Sequence, residues 1–121
     1  MKIPYGKQYI TQSDIDAVVD TLKSDFLTQG PKVKEFENNF AEYVDAKYAV
    51  AVTNGTAALH LSTIALDVKK GDKVITTPIT FAASANSVLY CGGEVDFVDI
   101  SPDTYTIDLD KLEQKLENSS K

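Results

Sequence analysis

The sequence predicts an α/β fold in which a parallel or mixed sheet is flanked by helices. Short apolar runs of four to six residues alternate with stretches whose apolar residues recur every three or four positions. The order strand, helix, strand, helix, strand, helix is typical of parallel sheets with right-handed crossovers. Two further helices come first. We therefore expect an N-terminal helical arm over residues 1–45 and the first part of a larger domain over residues 46–121.

The arm contains two predicted helices. Apolar residues follow Thr11 with helical spacing, and Thr11 or Ser13 is the expected cap of the first helix. A loop over residues 24–30 leads to the second helix, in which Pro31 suits the first turn. That helix carries an apolar stripe formed by Val33, Phe36, Phe40, Tyr43 and Val44. The stripe needs a partner surface, so we expect the arm to lie on a larger body.

The larger domain is predicted from three apolar runs, at residues 48–52, 74–77 and 94–99, each interpreted as a strand. We expect their centres, residues 50–52, 74–77 and 95–98, to be parallel neighbours in one sheet. Helices are predicted between the runs, with Gly92 closing one of them and Asp108 capping the last. Three strands make a narrow parallel sheet, and no closing element follows. We therefore expect the chain to be a fragment; the alternative is a small complete α/β domain.

Composition excludes several classes of function. The chain of 121 residues is 43% hydrophobic and 25% charged, as in globular proteins. Its formal net charge of −6 gives no support for nucleic-acid binding. The one cysteine, Cys91, permits no intramolecular disulfide, which makes a reducing cytoplasm the simplest setting. We find no secretory signal, no run long enough to span a membrane and no cluster of metal ligands.

Two segments at predicted strand ends have the chemistry of a binding site. Gly55 and Thr56 lie where a helix begins, so unpaired N–H groups and a hydroxyl are available for a phosphate. The alternative is an ordinary turn capped by Thr53 or Asn54. Phe81 follows the second strand, where an aromatic ring either stacks on a planar ligand or fills the core. We interpret His60, Cys91 and the acid pairs Asp96/Asp99 and Asp108/Asp110 as structural.

Four segments, in order and at the expected spacings, resemble the DegT/DnrJ/EryC1/StrS family of sugar aminotransferases. They are residues 26–31 (FLTQGP), 53–59 (TNGTAAL), 77–81 (TPITF) and 95–100 (VDFVDI). The resemblance covers essentially the whole chain. It implies part of the large domain of the aspartate-aminotransferase type I fold, with pyridoxal phosphate as cofactor. The opening, residues 3–10 (IPYGKQYI), looks like the subgroup that aminates a UDP-linked 4-keto sugar on the way to pseudaminic acid.

The resemblance also implies roles for particular residues. Gly55 and Thr56 match the turn that holds the cofactor phosphate, and Phe81 matches the aromatic residue that stacks on the pyridine ring. The positions that border the nucleotide sugar in the family match Tyr5, Asp25, Phe26, Leu27, Thr28 and Gly55. The family pattern further implies a homodimer, a nucleotide-sugar substrate and an amino-acid donor, with glutamate expected.

Two catalytic residues of the family have no match in this chain. The lysine that binds the cofactor covalently and the aspartate that pairs with its ring nitrogen are both expected beyond Lys121. We therefore expect no catalytic residue within residues 1–121, and we expect the chain alone to be inactive. Two alternatives stay open. One is a dehydratase of the same fold, with histidine in place of the lysine, and the other is a small non-enzymatic phosphate-binding module.

Overall fold

A computed structural model of the chain describes residues 6–119, which form five helices and two strands. The chain divides into two compact units, Met1–Ala51 and Val52–Lys121. The elements in chain order are α1 Gln12–Lys23, α2 Pro31–Tyr43, α3 Gly55–Ala65, β1 Lys73–Thr76, α4 Ala83–Tyr90, β2 Glu94–Phe97 and α5 Leu109–Asn118. Helices and a parallel strand pair confirm the predicted α/β class. The predicted division into an arm and a larger domain stays a prediction.

The first unit contains α1 and α2, and local signals determine where both helices begin. Thr11 caps α1: its hydroxyl accepts the N–H of Asp14, and the Asp14 carboxylate accepts the N–H of Thr11 at 2.7 Å. That backbone N–H lowers the pKa of Asp14. α2 begins at Pro31, directly after Gly30. Both starts were predicted from the sequence, and both are confirmed.

The apolar stripe of α2 remains largely exposed. Phe36 is 57% exposed and Phe40 is 48% exposed, although the two rings stack on each other with centroids 5.8 Å apart. Of all residues in α2, Ala41 alone is buried. The stripe therefore has the apolar character that the sequence predicts, and most of its surface is uncovered in the chain.

The predicted strand at residues 48–52 is wrong. These residues lie outside every described helix and strand, and Tyr48 and Val50 are both at least three-quarters exposed. A strand requires a neighbour that pairs with its backbone. Within residues 6–119, the one backbone hydrogen bond of this run joins the N–H of Ala51 to a side chain, that of Glu37. The apolar pattern of residues 48–52 indicated a tendency to be buried, but such a pattern does not show whether another strand lies beside the run to pair with its backbone.

The second unit is built on two parallel strands. β1 and β2 pair in the register Lys73↔Glu94 to Thr76↔Phe97, which confirms two of the three predicted neighbours. α4 connects the strands and ends at Tyr90, with Cys91 as its C-cap. Gly92 follows with φ +79°, a left-handed conformation that favours glycine. Among the described residues of this unit, those buried are Thr63, Ala83, Ser87, Val88, Gly93 and Val98.

α5 is joined to β2 by charged side chains. Asp108 caps the helix by accepting the N–H of Lys111, as predicted. The Lys115 ammonium donates to the Asp96 carboxylate at 2.6 Å and to the Phe97 carbonyl at 2.8 Å. The hydrogen bond from Lys115, with a second from the Phe97 N–H, lowers the pKa of Asp96. The carboxylates of Asp96 and Asp108 thus have the structural roles that the sequence analysis favoured.

Candidate functional site

The topology of the second unit brings two predicted site segments toward one edge of the sheet. Parallel strands β1 and β2 end at the same edge, and the chain leaves β1 there to begin α4. α3 packs against α4. The chain just after α3 and the last turn of α4 meet at Gly93, where an added Cβ would lie 2.9 Å from both Val68 and Val88. The N-termini of α3 and α4 therefore point to the carboxyl edge of the strands, the usual location of ligands in open parallel sheets.

The start of α3 offers two free backbone donors. Asn54 is the N-cap, and its side-chain oxygen accepts the N–H of Ala57 at 2.8 Å. The Asn54 carbonyl accepts the N–H of Ala58 at 3.2 Å. Within residues 6–119, the N–H groups of Gly55 and Thr56 make no hydrogen bond. The capped-turn alternative is thus correct for Asn54, and it leaves the first two N–H groups of the helix free for an anion.

Gly55 lies beside open space. A Cβ at this position would meet no atom within 4 Å, and the backbone of Gly55 is not left-handed. Neither packing nor conformation within the chain requires a glycine here. The absence of a side chain leaves the two free N–H groups accessible.

Phe81 lies just before α4 and is 76% exposed. Its carbonyl accepts the N–H of Ser84 at 3.0 Å, which fixes the backbone where the helix begins. The hydroxyls of Thr80 and Ser84 lie 3.4 Å apart at the same place. Phe81 fills no core among the described residues, so its ring is available to a ligand at the carboxyl edge.

The predicted substrate-bordering residues belong to the first unit. The loop between α1 and α2 exposes Phe26 and Leu27 at more than half of their surface. Gly30 packs closely on this loop, since an added Cβ would lie 2.7 Å from the Cβ of Phe26. Tyr5 lies outside the described residues. The predicted roles of Asp25, Phe26, Leu27 and Thr28 therefore stay predictions.

The remaining candidates have structural surroundings. His60 packs edge-to-face on Tyr90, with ring centroids 5.3 Å apart, so it joins α3 to α4. Cys91 is a free, half-buried thiol at the end of α4. Among the described residues, no group of histidine, cysteine and acidic side chains could hold a metal ion. None of the helices between residues 6 and 119 has the length and apolar character to span a bilayer.

Comparison with known proteins identifies the family. Residues 8–121 match the DegT/DnrJ/EryC1/StrS aminotransferase family. The chain belongs to this family. It is 48% identical over 118 residues to a Campylobacter jejuni UDP-4-amino-4,6-dideoxy-N-acetyl-beta-L-altrosamine transaminase, a match that covers 98% of this chain and 31% of the relative. The chain thus spans about a third of the length of the curated relatives it matches.

Solved structures confirm the fold. A putative sugar aminotransferase from Streptococcus pneumoniae, in its PLP form, superposes with a TM-score of 0.83 at 39% identity, over 94% of this chain and 29% of that one. A GDP-4-keto-6-deoxymannose-3-dehydratase with a trapped PLP-glutamate geminal diamine superposes with a TM-score of 0.88 at 30% identity, over 99% of this chain and 33% of that one. The predicted family and fold are confirmed, as is pyridoxal phosphate as the cofactor of this family.

One residue of interest was missed by the sequence analysis. Glu37 accepts the N–H of Ala51 at 3.0 Å, within the first unit. In the sequence it is one of several acidic residues on an amphipathic helix, and nothing local distinguishes it from Glu35 or Glu42. Only the fold of residues 44–51 back onto α2 gives it a distinct partner.

Proposed function

We propose that the whole protein is a pyridoxal-phosphate-dependent aminotransferase that aminates a 4-keto nucleotide sugar, with glutamate as donor. The observation that carries the proposal is the open start of α3 at Gly55, with two free N–H groups, in a chain of a sugar aminotransferase family. A phosphate placed there would accept hydrogen bonds at the positive end of the helix dipole.

The described residues would bind and orient the cofactor. The N–H groups of Gly55 and Thr56, with the Thr56 hydroxyl, would hold its phosphate group. Phe81 would pack against its ring and exclude water there. When bound, the cofactor supplies an electron-accepting ring for amino transfer. The residue that moves the proton at the substrate carbon is the family lysine, which is predicted beyond residue 121.

The substrate proposed is a UDP-linked 4-keto sugar. The support is the identity of 48% to the C. jejuni transaminase and the opening segment of residues 3–10. Tyr5 and the loop Asp25, Phe26, Leu27 and Thr28 border that sugar in the proposal. The proposal also includes that the protein is a cytoplasmic homodimer whose active sites are built from both subunits.

The experiment is turnover by the whole protein with pyridoxal phosphate, glutamate and a UDP-linked 4-keto-6-deoxy sugar. We expect equal amounts of 4-amino sugar and 2-oxoglutarate, measured by mass spectrometry. A matched reaction with the GDP-linked 4-keto sugar tests which nucleotide the enzyme accepts on its substrate. Binding of pyridoxal phosphate without any amino sugar from either substrate would contradict the proposed reaction.

A second candidate function is a sugar dehydratase of the same fold. It is favoured by the TM-score of 0.88 to the GDP-4-keto-6-deoxymannose-3-dehydratase. The product separates the two reactions, because a dehydratase releases a sugar that has lost a hydroxyl group and gained no nitrogen. The residue at the lysine position decides as well: lysine is expected for the aminotransferase and histidine for the dehydratase.

A further inference from the structure

The second unit contains both helix starts that the proposed cofactor would contact. α3 begins at Gly55, α4 begins at Ala83 just after Phe81, and the two helices pack on each other. The phosphate group and the ring of the cofactor belong to one small molecule with little freedom between them. It can contact the start of α3 and Phe81 together only when the two helix starts lie at the right separation, so the packing of α3 on α4 bears on binding.

One ring contact joins the two helices. His60 of α3 packs edge-to-face on Tyr90 of α4, with ring centroids 5.3 Å apart and an angle of 68° between the ring planes. His60 lies in the middle of α3, about 7.5 Å along the helix from Gly55 at 1.5 Å per residue. Tyr90 is the last residue of α4, at the opposite end from Phe81. A change in this contact would therefore tilt one helix against the other and move their starts.

The buried residues of the two helices are small, namely Thr63, Ala83, Ser87 and Val88. The hydroxyls of Thr63 and Ser87 donate to carbonyls of their own helices, at 2.8 Å and 3.1 Å. Small side chains allow helices to pack closely, but they impose little direction on the contact. An edge-to-face aromatic pair has a preferred geometry. The rings of His60 and Tyr90 thus supply a directional contact between α3 and α4.

We infer that His60 and Tyr90 are positioning residues for the cofactor: their ring contact sets the separation between the start of α3 and Phe81. The inference rests on the proposed function, which places the phosphate group at α3 and the ring against Phe81. Without the contact the helices sample more than one separation, and the apparent affinity falls in proportion to the competent fraction. Inorganic phosphate needs only the start of α3, so its affinity does not depend on the separation.

Substitutions separate the ring contact from general stability. His60→Ala and Tyr90→Ala each remove the contact, whereas Tyr90→Phe keeps the ring and removes the hydroxyl. Asp96→Asn is the matched control for stability. It removes the carboxylate that Lys115 contacts at 2.6 Å between β2 and α5, and it leaves the side chains of α3 and α4 unchanged.

The experiment measures, by calorimetry on the whole protein freed of cofactor, the affinities for pyridoxamine phosphate and for inorganic phosphate. Pyridoxamine phosphate has the ring and the phosphate group but no aldehyde, so covalent attachment to a lysine does not enter the measurement. We expect both alanine variants to bind pyridoxamine phosphate about three- to tenfold more weakly, the range that loss of an aromatic pair allows. Their affinity for inorganic phosphate should stay within about twofold of the unsubstituted protein.

The remaining variants complete the comparison. Tyr90→Phe and Asp96→Asn should stay within about twofold of the unsubstituted protein for both ligands. The double variant His60→Ala/Tyr90→Ala should lose no more affinity for pyridoxamine phosphate than the weaker-binding single variant, because both substitutions remove the same contact.

Three results would overturn the inference. The first is an unchanged ratio of the two affinities in the alanine variants, whether both affinities fall together or neither changes. The second is an equal loss in Tyr90→Phe and Tyr90→Ala, which would assign the effect to the hydroxyl. The third is the same selective loss in Asp96→Asn, which would assign it to stability. If an alanine variant does not fold, leucine at that position removes the ring and keeps more of the volume. Failure of the unsubstituted protein to bind pyridoxamine phosphate would instead refute the proposed function.

Discussion

Replacement of Gly55 by valine separates ligand binding from folding. The structure gives a Cβ at this position no neighbour within 4 Å, and the backbone is compatible with any L residue. Helix propensity changes the free energy of unfolding by only about 0.5 kcal/mol for Gly→Val. The branched side chain would occupy the space in front of the free N–H groups of Gly55 and Thr56, where the phosphate is proposed to lie.

The expected loss follows from the hydrogen bonds that the phosphate would forfeit. A hydrogen bond to a charged group contributes about 1.5–3 kcal/mol, so loss of one backbone donor weakens binding by about ten- to 150-fold. The assay is an absorbance titration of the whole protein with pyridoxal phosphate, together with urea unfolding of the apoprotein. Gly55→Ala is the graded control, with a smaller loss of affinity.

Two results would refute this reasoning in different ways. Unchanged affinity in Gly55→Val would show that the phosphate does not lie at the start of α3. Weaker binding accompanied by a large fall in the urea midpoint would show instead that the space beside Gly55 is needed for folding. The predicted combination is weak binding with an unchanged midpoint.

Three further predictions concern packing and charge. Phe81→Ala should shift the cofactor absorption band and weaken binding by about 0.5–1.5 kcal/mol beyond the loss of buried area, since the ring is exposed and available for stacking. Gly93→Ala should lower the free energy of unfolding by about 1–3 kcal/mol, because the added Cβ would lie 2.9 Å from two valine methyl groups. Asp96 stabilises the fold as a carboxylate paired with Lys115, and its pKa is lowered by that pairing. This contribution is present above the unfolded-state pKa of about 3.9 and is lost as pH falls through the lower folded-state pKa. Asp96→Asn should therefore unfold at lower urea than the unsubstituted protein at pH 6, and the difference should shrink toward pH 2.

Matched variants test each of these predictions. Tyr105 is also 76% exposed, and Tyr105→Ala should leave cofactor binding unchanged. A large stability loss with intact cofactor binding in Phe81→Ala would show a packing role. Gly55→Ala should not cause the fall in the free energy of unfolding that is expected for Gly93→Ala, because a Cβ at Gly55 has open space around it. A constant difference in Asp96→Asn from pH 6 to pH 2 would contradict the assigned ion pair.

Local chemistry allowed the sequence to predict most of the helices. Caps such as Thr11 and Asp108 interact with residues three positions away, and Pro31 fixes its own φ angle. Such interactions are complete within one turn of chain, so a short window contains their cause. β1 and β2 were also predicted, since their apolar runs are separated by a connecting helix that favours parallel pairing.

The sequence by itself determined the helix starts, the parallel strand pair and, through its motifs, the family and the positions of Gly55, Thr56 and Phe81. Tertiary structure decided everything that depends on residues far apart in the chain. Within residues 6–119 it gave residues 48–52 no strand partner, and it paired Glu37 with Ala51, fourteen positions away. It also left Phe81 exposed and the space beside Gly55 open. The physical reason is that strand pairing, exposure and long-range hydrogen bonds depend on the partner that the folded chain brings near, which no local pattern encodes.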